Sequence, residues 1–314
     1  MDDVLEPPRP RGRFPAANVA LFLATVVTTL WAGFTLSPLA DSPSLANVIR
    51  GGLPFAGSLV AILFTHEMGH YVFARRYGVK TTLPYFIPVP FGAGTLGAVI
   101  RMRSAIPSRR AVLDIGAAGP LAGLAVAVPL LFVGLALSEV RELPVVPVGT
   151  ALSSPWAAIQ ALLEGRPILS DSPTVQFFGD SLLTWAARWL VVGELKPGSD
   201  VVLHPVAFAA WIGLLVTALN LVPLGQLDGG HVLYALFGRR GALVVARLVS
   251  AGLLLAGVFL SWNWLIWWFL SRFVVGLGHP PALEEEPLDG ARRAVAWTSL
   301  ALFVATFVPV PVSF

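Results

Sequence analysis

At 314 residues, with 56% hydrophobic and only 12% charged side chains and a mean hydropathy of +0.76, this chain is matched to lipid rather than to water. It has no cysteine, which excludes disulfides and thiolate metal sites and leaves histidine and carboxylate to hold any zinc. The net charge of +3 lies mostly in arginines beside apolar runs, a mark of membrane topology and not of nucleic-acid binding.

Residues 1–15 are polar and proline-rich, with Arg9, Arg11 and Arg13, and read as a cytoplasmic tail. The apolar region lies too far from the start for a cleaved signal peptide. A first span is expected from Ala16 to Leu39, then a polar turn over Asp41–Asn47, then a second span from Gly51 to Ala74 that stops at Arg75-Arg76. With the tail inside, the second span returns to the cytoplasm, and Arg75, Arg76 and Lys80 obey the positive-inside rule.

Near the far end of that second run stands His66-Glu67-Met68-Gly69-His70. On a helix, His66 and His70 lie one above the other, close enough for both imidazoles to hold one metal, and Glu67 projects beside them as a proton acceptor for water. Two histidines satisfied by helix neighbours would be the plain reading. Ionisable groups at membrane depth are costly, however, and mark function.

Thr81–Arg103 does not read as a helix. Pro84, Pro88 and Pro90 break it, and Gly92, Gly94 and Gly97 follow among β-branched and aromatic residues, so extended strands dipping into the membrane are expected. Gly92 to Gly97 also spells a dinucleotide-type glycine pattern, but these glycines open no helix in a strand–helix–strand unit, and we set that reading aside. A third span is expected over Ala111–Leu137, with Gly116, Gly119 and Gly123 spaced for close helix packing. Asp114 near its start is either a metal ligand or, more plainly, an ion-pair partner of Arg109 and Arg110.

Residues 138–204 form the longest non-spanning region and are expected outside, with Phe177–Val192, carrying Trp185, Trp189 and Arg188, as an interfacial helix. A fourth span, Pro205–Leu224, runs into Asn220-Leu-Val-Pro223-Leu-Gly-Gln226-Leu227-Asp228-Gly229-Gly230-His231. A carboxylate at membrane depth calls for a nearby cation, although Asp228 is also placed to cap the following helix. His231 is a weaker candidate ligand, and His204 and His279, each before a proline, read as non-catalytic. Further runs follow at Ala242–Leu260 and at Trp262–Gly276, close enough to form a helical hairpin. A cytoplasmic linker over residues 278–293 leads to a last span, Ala294–Val312, with the C-terminus outside. The fold class is therefore an all-α polytopic membrane protein of six or seven spans, with a small β segment over residues 81–103 inside a core of residues 16–277.

The His66-Glu67-x-x-His70 motif, the glycine-rich strand segment and Asn220-x-x-Pro223-x-x-x-Leu227-Asp228-Gly229 together resemble the site-2 protease family, intramembrane zinc metalloproteases of peptidase type M50. The likeness covers about residues 51–238. It implies one catalytic zinc ion on His66, His70 and Asp228, Glu67 as the general base and Asn220 beside the scissile bond. Two imidazoles and one carboxylate leave a fourth tetrahedral position open, the mark of a catalytic site. No acidic residue follows Glu67 until Asp114, so the third ligand has to come from a distance. The resemblance is to the plastid and bacterial branch; no run of ~90 soluble residues fits the PDZ domain that many bacterial members carry.

A spanning helix hides its peptide bonds in internal hydrogen bonds, so a protease acting there has to unwind its substrate and hold it extended. An exposed strand edge, with Gly94, Gly97, Val99 and Ile100 as the expected substrate-binding residues, could do so by strand addition. The expected function is hydrolysis of a single-span membrane protein in or near its spanning segment, from the cytoplasmic side of a membrane, with a bacterial cytoplasmic membrane as the expected setting. The alternatives are a membrane-embedded zinc peptidase acting on soluble peptides, a metal transporter, and a non-catalytic binding relative. A transporter would distribute ligands along a path. A non-catalytic relative would be expected to lose Glu67 or a ligand, and this chain keeps all four residues.

Overall fold

The computed structural model describes residues 15–37, 39–142, 154–164 and 177–313, so most of the expected N-terminal tail and parts of the expected external loop lie outside the described residues. Helices α1 (Ala16–Thr35) and α2 (Leu45–Arg76) pack side by side, and α2 begins earlier than expected because Ser44 caps it by accepting from the Asn47 amide. At 32 residues α2 spans about 48 Å of rise, more than a bilayer core needs, so its last turns carry the histidines to the membrane edge and beyond.

The expected strand segment is present as an antiparallel hairpin, β1 (Tyr85–Pro88) with β2 (Thr95–Val99), in register Tyr85 to Val99 and Phe86 to Ala98. Gly92 and Gly94 take left-handed φ values of 59° and 80° in its turn, and this conformation is why glycine is needed there. The hairpin rests on α1: Phe22 meets Phe86 edge-on at 5.1 Å, and the Thr28 hydroxyl donates to the Gly94 carbonyl at 2.6 Å.

Helix α3 (Arg109–Ala136), capped by Ser108, is the centre of the bundle and packs on α2 as well as on α6 (Pro205–Asn220) and α7 (Asp228–Phe259). The region between α3 and α6, expected outside, holds β3 (Glu139–Glu142), α4 (Pro155–Leu163), β4 (Phe177–Phe178), α5 (Leu182–Val192) and β5 (Ser199–Val202). Here two readings change. Helix α4 was not expected, although Ser154-Pro155 is a cap followed by a first-turn proline. The interfacial helix is shorter than expected because Ser181 and Thr184 form a capping box, and Phe177–Phe178 instead pairs with β6 (Val312–Ser313).

The backbone leaves helical geometry at Gly238 (φ 65°, ψ −179°), so α7 is two helical segments joined at a sharp kink, the first starting at Asp228 and the second corresponding to the expected fifth run. Helix α8 (Trp262–Phe269) and a π-helical turn (Leu270–Val275) fold back on it as the expected hairpin, and α9 (Gly290–Thr306) begins at an Asp289 cap. Among the described residues four helices, α1, α2, α3 and α7, are long and apolar enough to cross a membrane, and α6 is a shorter apolar helix of 16 residues. The remaining expected spans correspond to the short α8 with its π turn and the 17-residue α9.

Candidate active site

Helix α2 stacks His66 and His70 one turn apart and buries both, together with Glu67. Asp228 reaches the same point from the first turn of α7. Residues 221–227, with Pro223, end α6 and turn the chain so that α7 starts beside α2. Gly229 and Gly230 sit directly on the carbonyls of Leu221, Val222 and Leu224, where any Cβ would collide with backbone, so only glycine lets α7 begin there. Leu227, not Asp228, occupies the cap position and no side chain caps the helix. The Asp228 carboxylate is turned to the histidines, with its charge favourably placed at a helix N-terminus.

The three donor atoms form a nearly equilateral triangle. His66 Nε2 lies 3.3 Å and His70 Nε2 3.2 Å from Asp228 Oδ2, and the two nitrogens are 3.2 Å apart. A tetrahedral zinc with bonds of ~2.0–2.1 Å has ligand atoms about 3.3 Å from one another, so this donor set fits zinc in both chemistry and spacing. His70 Nδ1 lies 2.7 Å from the Ile115 carbonyl, which can only accept; that nitrogen is therefore the protonated one and Nε2 offers its lone pair to the cluster.

The glycine stripe of α3 does more than bring helices together. A Cβ at Gly119 would overlap the His70 imidazole, one at Gly116 would press on His231, and one at Gly123 would touch His66. Three histidines lie in a cradle cut by three missing side chains, a use that the spacing alone does not reveal.

Around the triangle opens a cleft of about 550 Å³, walled on one side by residues 98–102 and on the other by His279, Pro280 and Pro281 of the linker. Glu67 lines it, with the Ile100 backbone N–H turned to its carboxylate. Asn220, the last residue of α6, places Nδ2 3.3 Å from His66 Nε2. The Thr82 amide donates to the Arg101 carbonyl and the Arg103 amide to the Lys80 carbonyl. By the alternation of a strand, the main-chain groups of Ile100 and Met102 point the other way, into the cleft.

Of the expected substrate-binding residues, Val99 and Ile100 line the cleft, whereas Gly94 is held against α1 at the far end of the hairpin and Gly97 is not among the lining residues. Asp114 is not near the triangle. Its partners are Arg292 of α9 (2.8 Å) and the Tyr77 hydroxyl, not Arg109 or Arg110, because α9 packs against this part of α3. Arg109 instead donates to the Ala235 carbonyl and Arg110 pairs with Glu286.

His279, set aside on sequence, comes into the cleft because the linker folds back over it. It stacks on Tyr234 at 4.3 Å and meets His231, with His231 Nδ1 2.5 Å from His279 Nε2. Burial pushes the His279 pKa down, so the ring is neutral, and the Pro280 carbonyl fixes its proton on Nδ1. His279 Nε2 is then an acceptor and His231 Nδ1 the donor, which leaves His231 with a lone pair on Nε2. His204 caps α6, accepting from the Val206 amide, and plays no part here.

Residues 54–262 match the model of peptidase family M50. The probable zinc metalloprotease EGY1, chloroplastic, of Oryza sativa subsp. japonica is 31% identical over 299 residues, which cover 94% of this chain and 47% of that protein. The probable zinc metalloprotease EGY2, chloroplastic, of Arabidopsis thaliana is 29% identical over 270 residues, covering 85% of this chain and 43% of its own length. The chain thus spans about half the length of the curated relatives it matches. No solved structure matches it significantly. A match that includes both the histidine pair of α2 and Asp228, on an integral membrane fold, identifies the chain as a member of peptidase family M50.

Proposed function

We propose that the chain is a zinc-dependent endopeptidase that hydrolyses peptide bonds in or near the spanning segment of a single-span membrane protein. The observation that carries this reading is the juxtaposition of a zinc-sized donor triangle, an adjacent glutamate and an open strand edge in one cleft. His66, His70 and Asp228 would hold the metal. Zinc, when bound, supplies a Lewis acid that polarises a carbonyl and lowers the pKa of water towards ~7.

Glu67 takes the proton from water as its oxygen adds to the peptide carbonyl carbon, and passes that proton to the amine as the C–N bond breaks. One water is consumed, leaving a new carboxyl group and a new amine. The Asn220 amide, beside His66, is placed to hydrogen-bond the substrate backbone at the scissile bond. The strand edge holds the unwound substrate: the Ile100 carbonyl and both main-chain groups of Met102 replace hydrogen bonds that the substrate helix gives up.

Met102→Pro removes one of those donors, worth about 0.5–1.5 kcal/mol, and should lower cleavage of a spanning substrate severalfold with zinc content unchanged. Met102→Ala keeps the amide and should be nearly neutral. Equal losses in the two variants would remove the strand-addition idea. Arg101 is unsuitable for such a scan, because its own amide donates to the Thr82 hydroxyl within the hairpin. A chain that cut soluble peptides as readily as spanning ones would favour the soluble-peptide reading instead.

The site is proposed to face the cytoplasm. Arg75-Arg76 end α2 and Arg109-Arg110 begin α3, both at the metal end of the helix, and Arg239-Arg240 follow the kink at Gly238, a distribution that fits the positive-inside rule. A reporter fused at Lys196, between α5 and β5, should report the outer side, and a cytoplasmic signal there would reverse the orientation.

A further inference from the structure

A second cavity, of about 480 Å³, lies at the opposite end of the helices. Its apolar floor includes Leu131 and Leu135, in the last turns of α3, and Phe208, in the first turn of α6. Gly119 in the metal cradle is about 18 Å of helical rise from Leu131. On the exposed side of α5, Trp185 and Trp189 face outward, as residues at a membrane–water interface do, which sets the cavity at headgroup level.

The rim is charged but incompletely matched. Arg188 donates through Nε and Nη2, at 3.1 and 2.7 Å, to one oxygen of Asp180, and the Thr184 hydroxyl donates to the other at 3.1 Å. Asp180 is therefore satisfied. Asp200, half-buried on the same rim, accepts the neighbouring Val201 amide at 2.7 Å. Arg141, directly opposite it in the β3–β5 pair, is engaged with Glu139 at 2.6 Å, so no cation lies within ion-pair distance of Asp200 among the described residues. Arg188 also keeps Nη1 unengaged by any described residue. A half-buried carboxylate without a cation is costly, and a guanidinium N–H facing the same space completes a zwitterionic receptor above an apolar floor.

We propose that this cavity binds one phospholipid with a primary ammonium headgroup, its ammonium on Asp200, its phosphate on Arg188 Nη1 and an acyl chain along Leu131, Leu135 and Phe208. A primary ammonium is favoured over a quaternary one because it donates charge-assisted hydrogen bonds to a carboxylate. The site is separate from the metal cleft and does not depend on the peptidase reading.

The test uses the full chain purified in detergent, with phosphatidylethanolamine, phosphatidylcholine and phosphatidylglycerol of one acyl composition added in equal amounts. Native mass spectrometry should show the ethanolamine lipid retained severalfold over the other two, and that lipid alone should raise the thermal unfolding midpoint in proportion to the logarithm of its concentration. Asp200→Asn should abolish the preference and leave zinc content unchanged. If that variant does not fold, the wild-type mass spectrum decides by itself. Equal retention of the three lipids, or an undiminished preference in folded Asp200→Asn, would overturn the proposal. So would a lysine-rich peptide binding at the rim of a protein that retains no lipid, which would assign the cavity to a protein partner.

Discussion

Glu67→Gln is expected to lower cleavage of a membrane-embedded substrate by about 10²–10⁴-fold, the usual contribution of a positioned general base, while the bound zinc stays in place. The amide has nearly the shape of the carboxylate but cannot accept a proton. Glu67 is not one of the three donor atoms of the triangle, so the metal should not notice the change. The pair of measurements is zinc content by elemental analysis and the rate of product formation from a single-span protein in the same preparation. Loss of zinc from a folded Glu67→Gln variant would transfer that residue from proton transfer to metal binding. The variant should also retain substrate, so crosslinking it in membranes is the direct way to capture the protein it acts on.

Gly119→Ala should be almost as damaging by a different route. A methyl group there occupies the space of the His70 ring, which is fixed on its other side by the Ile115 carbonyl. Overpacking of this kind costs about 1–3 kcal/mol. Disturbing a ligand's outer support typically weakens metal binding about 10–100-fold. The expected result is weakened zinc binding, measured by competition with a chelator, and a parallel loss of activity at limiting zinc. Gly57→Ala, in the neighbouring helix α2, is the control. A Cβ at Gly57 meets nothing within 4 Å, and alanine is the better helix former by about 1 kcal/mol, so zinc affinity should not change. Equal behaviour of the two variants would mean that the cradle is not what holds His70.

How much of this was legible beforehand depends on the range of each contact. His66, Glu67 and His70 could be read directly because four residues of one helix contain the whole relation. The hairpin was legible from its prolines and left-handed glycines, which forbid a helix locally. The choice between Asp114 and Asp228 was not settled by spacing. Asp114 is held by Arg292, 178 residues further along the chain, and the likeness to a family, not the local pattern, pointed to Asp228. His279 was missed because its place in the cleft depends on the linker crossing back over α7, where the Ala282 amide donates to the Tyr234 hydroxyl at 2.9 Å. The glycines of α3 gave a packing signal, but which side chains they admit is a property of the assembled bundle. Gly94 was assigned to the substrate because it lies in the right segment, yet a turn glycine packed on Thr28 is at the wrong end of the hairpin.

One zinc ion is expected to be held in the cleft by His66, His70 and Asp228. X-ray absorption at the zinc edge, on the purified full chain and on Asp228→Ala, tests it most directly. The expected wild-type spectrum shows one zinc per chain, with two imidazole nitrogens and light oxygen donors at ~2.0–2.2 Å, and Asp228→Ala should lose most of its metal. A spectrum without imidazole scattering, or full zinc occupancy in the folded Asp228→Ala chain, would contradict the account.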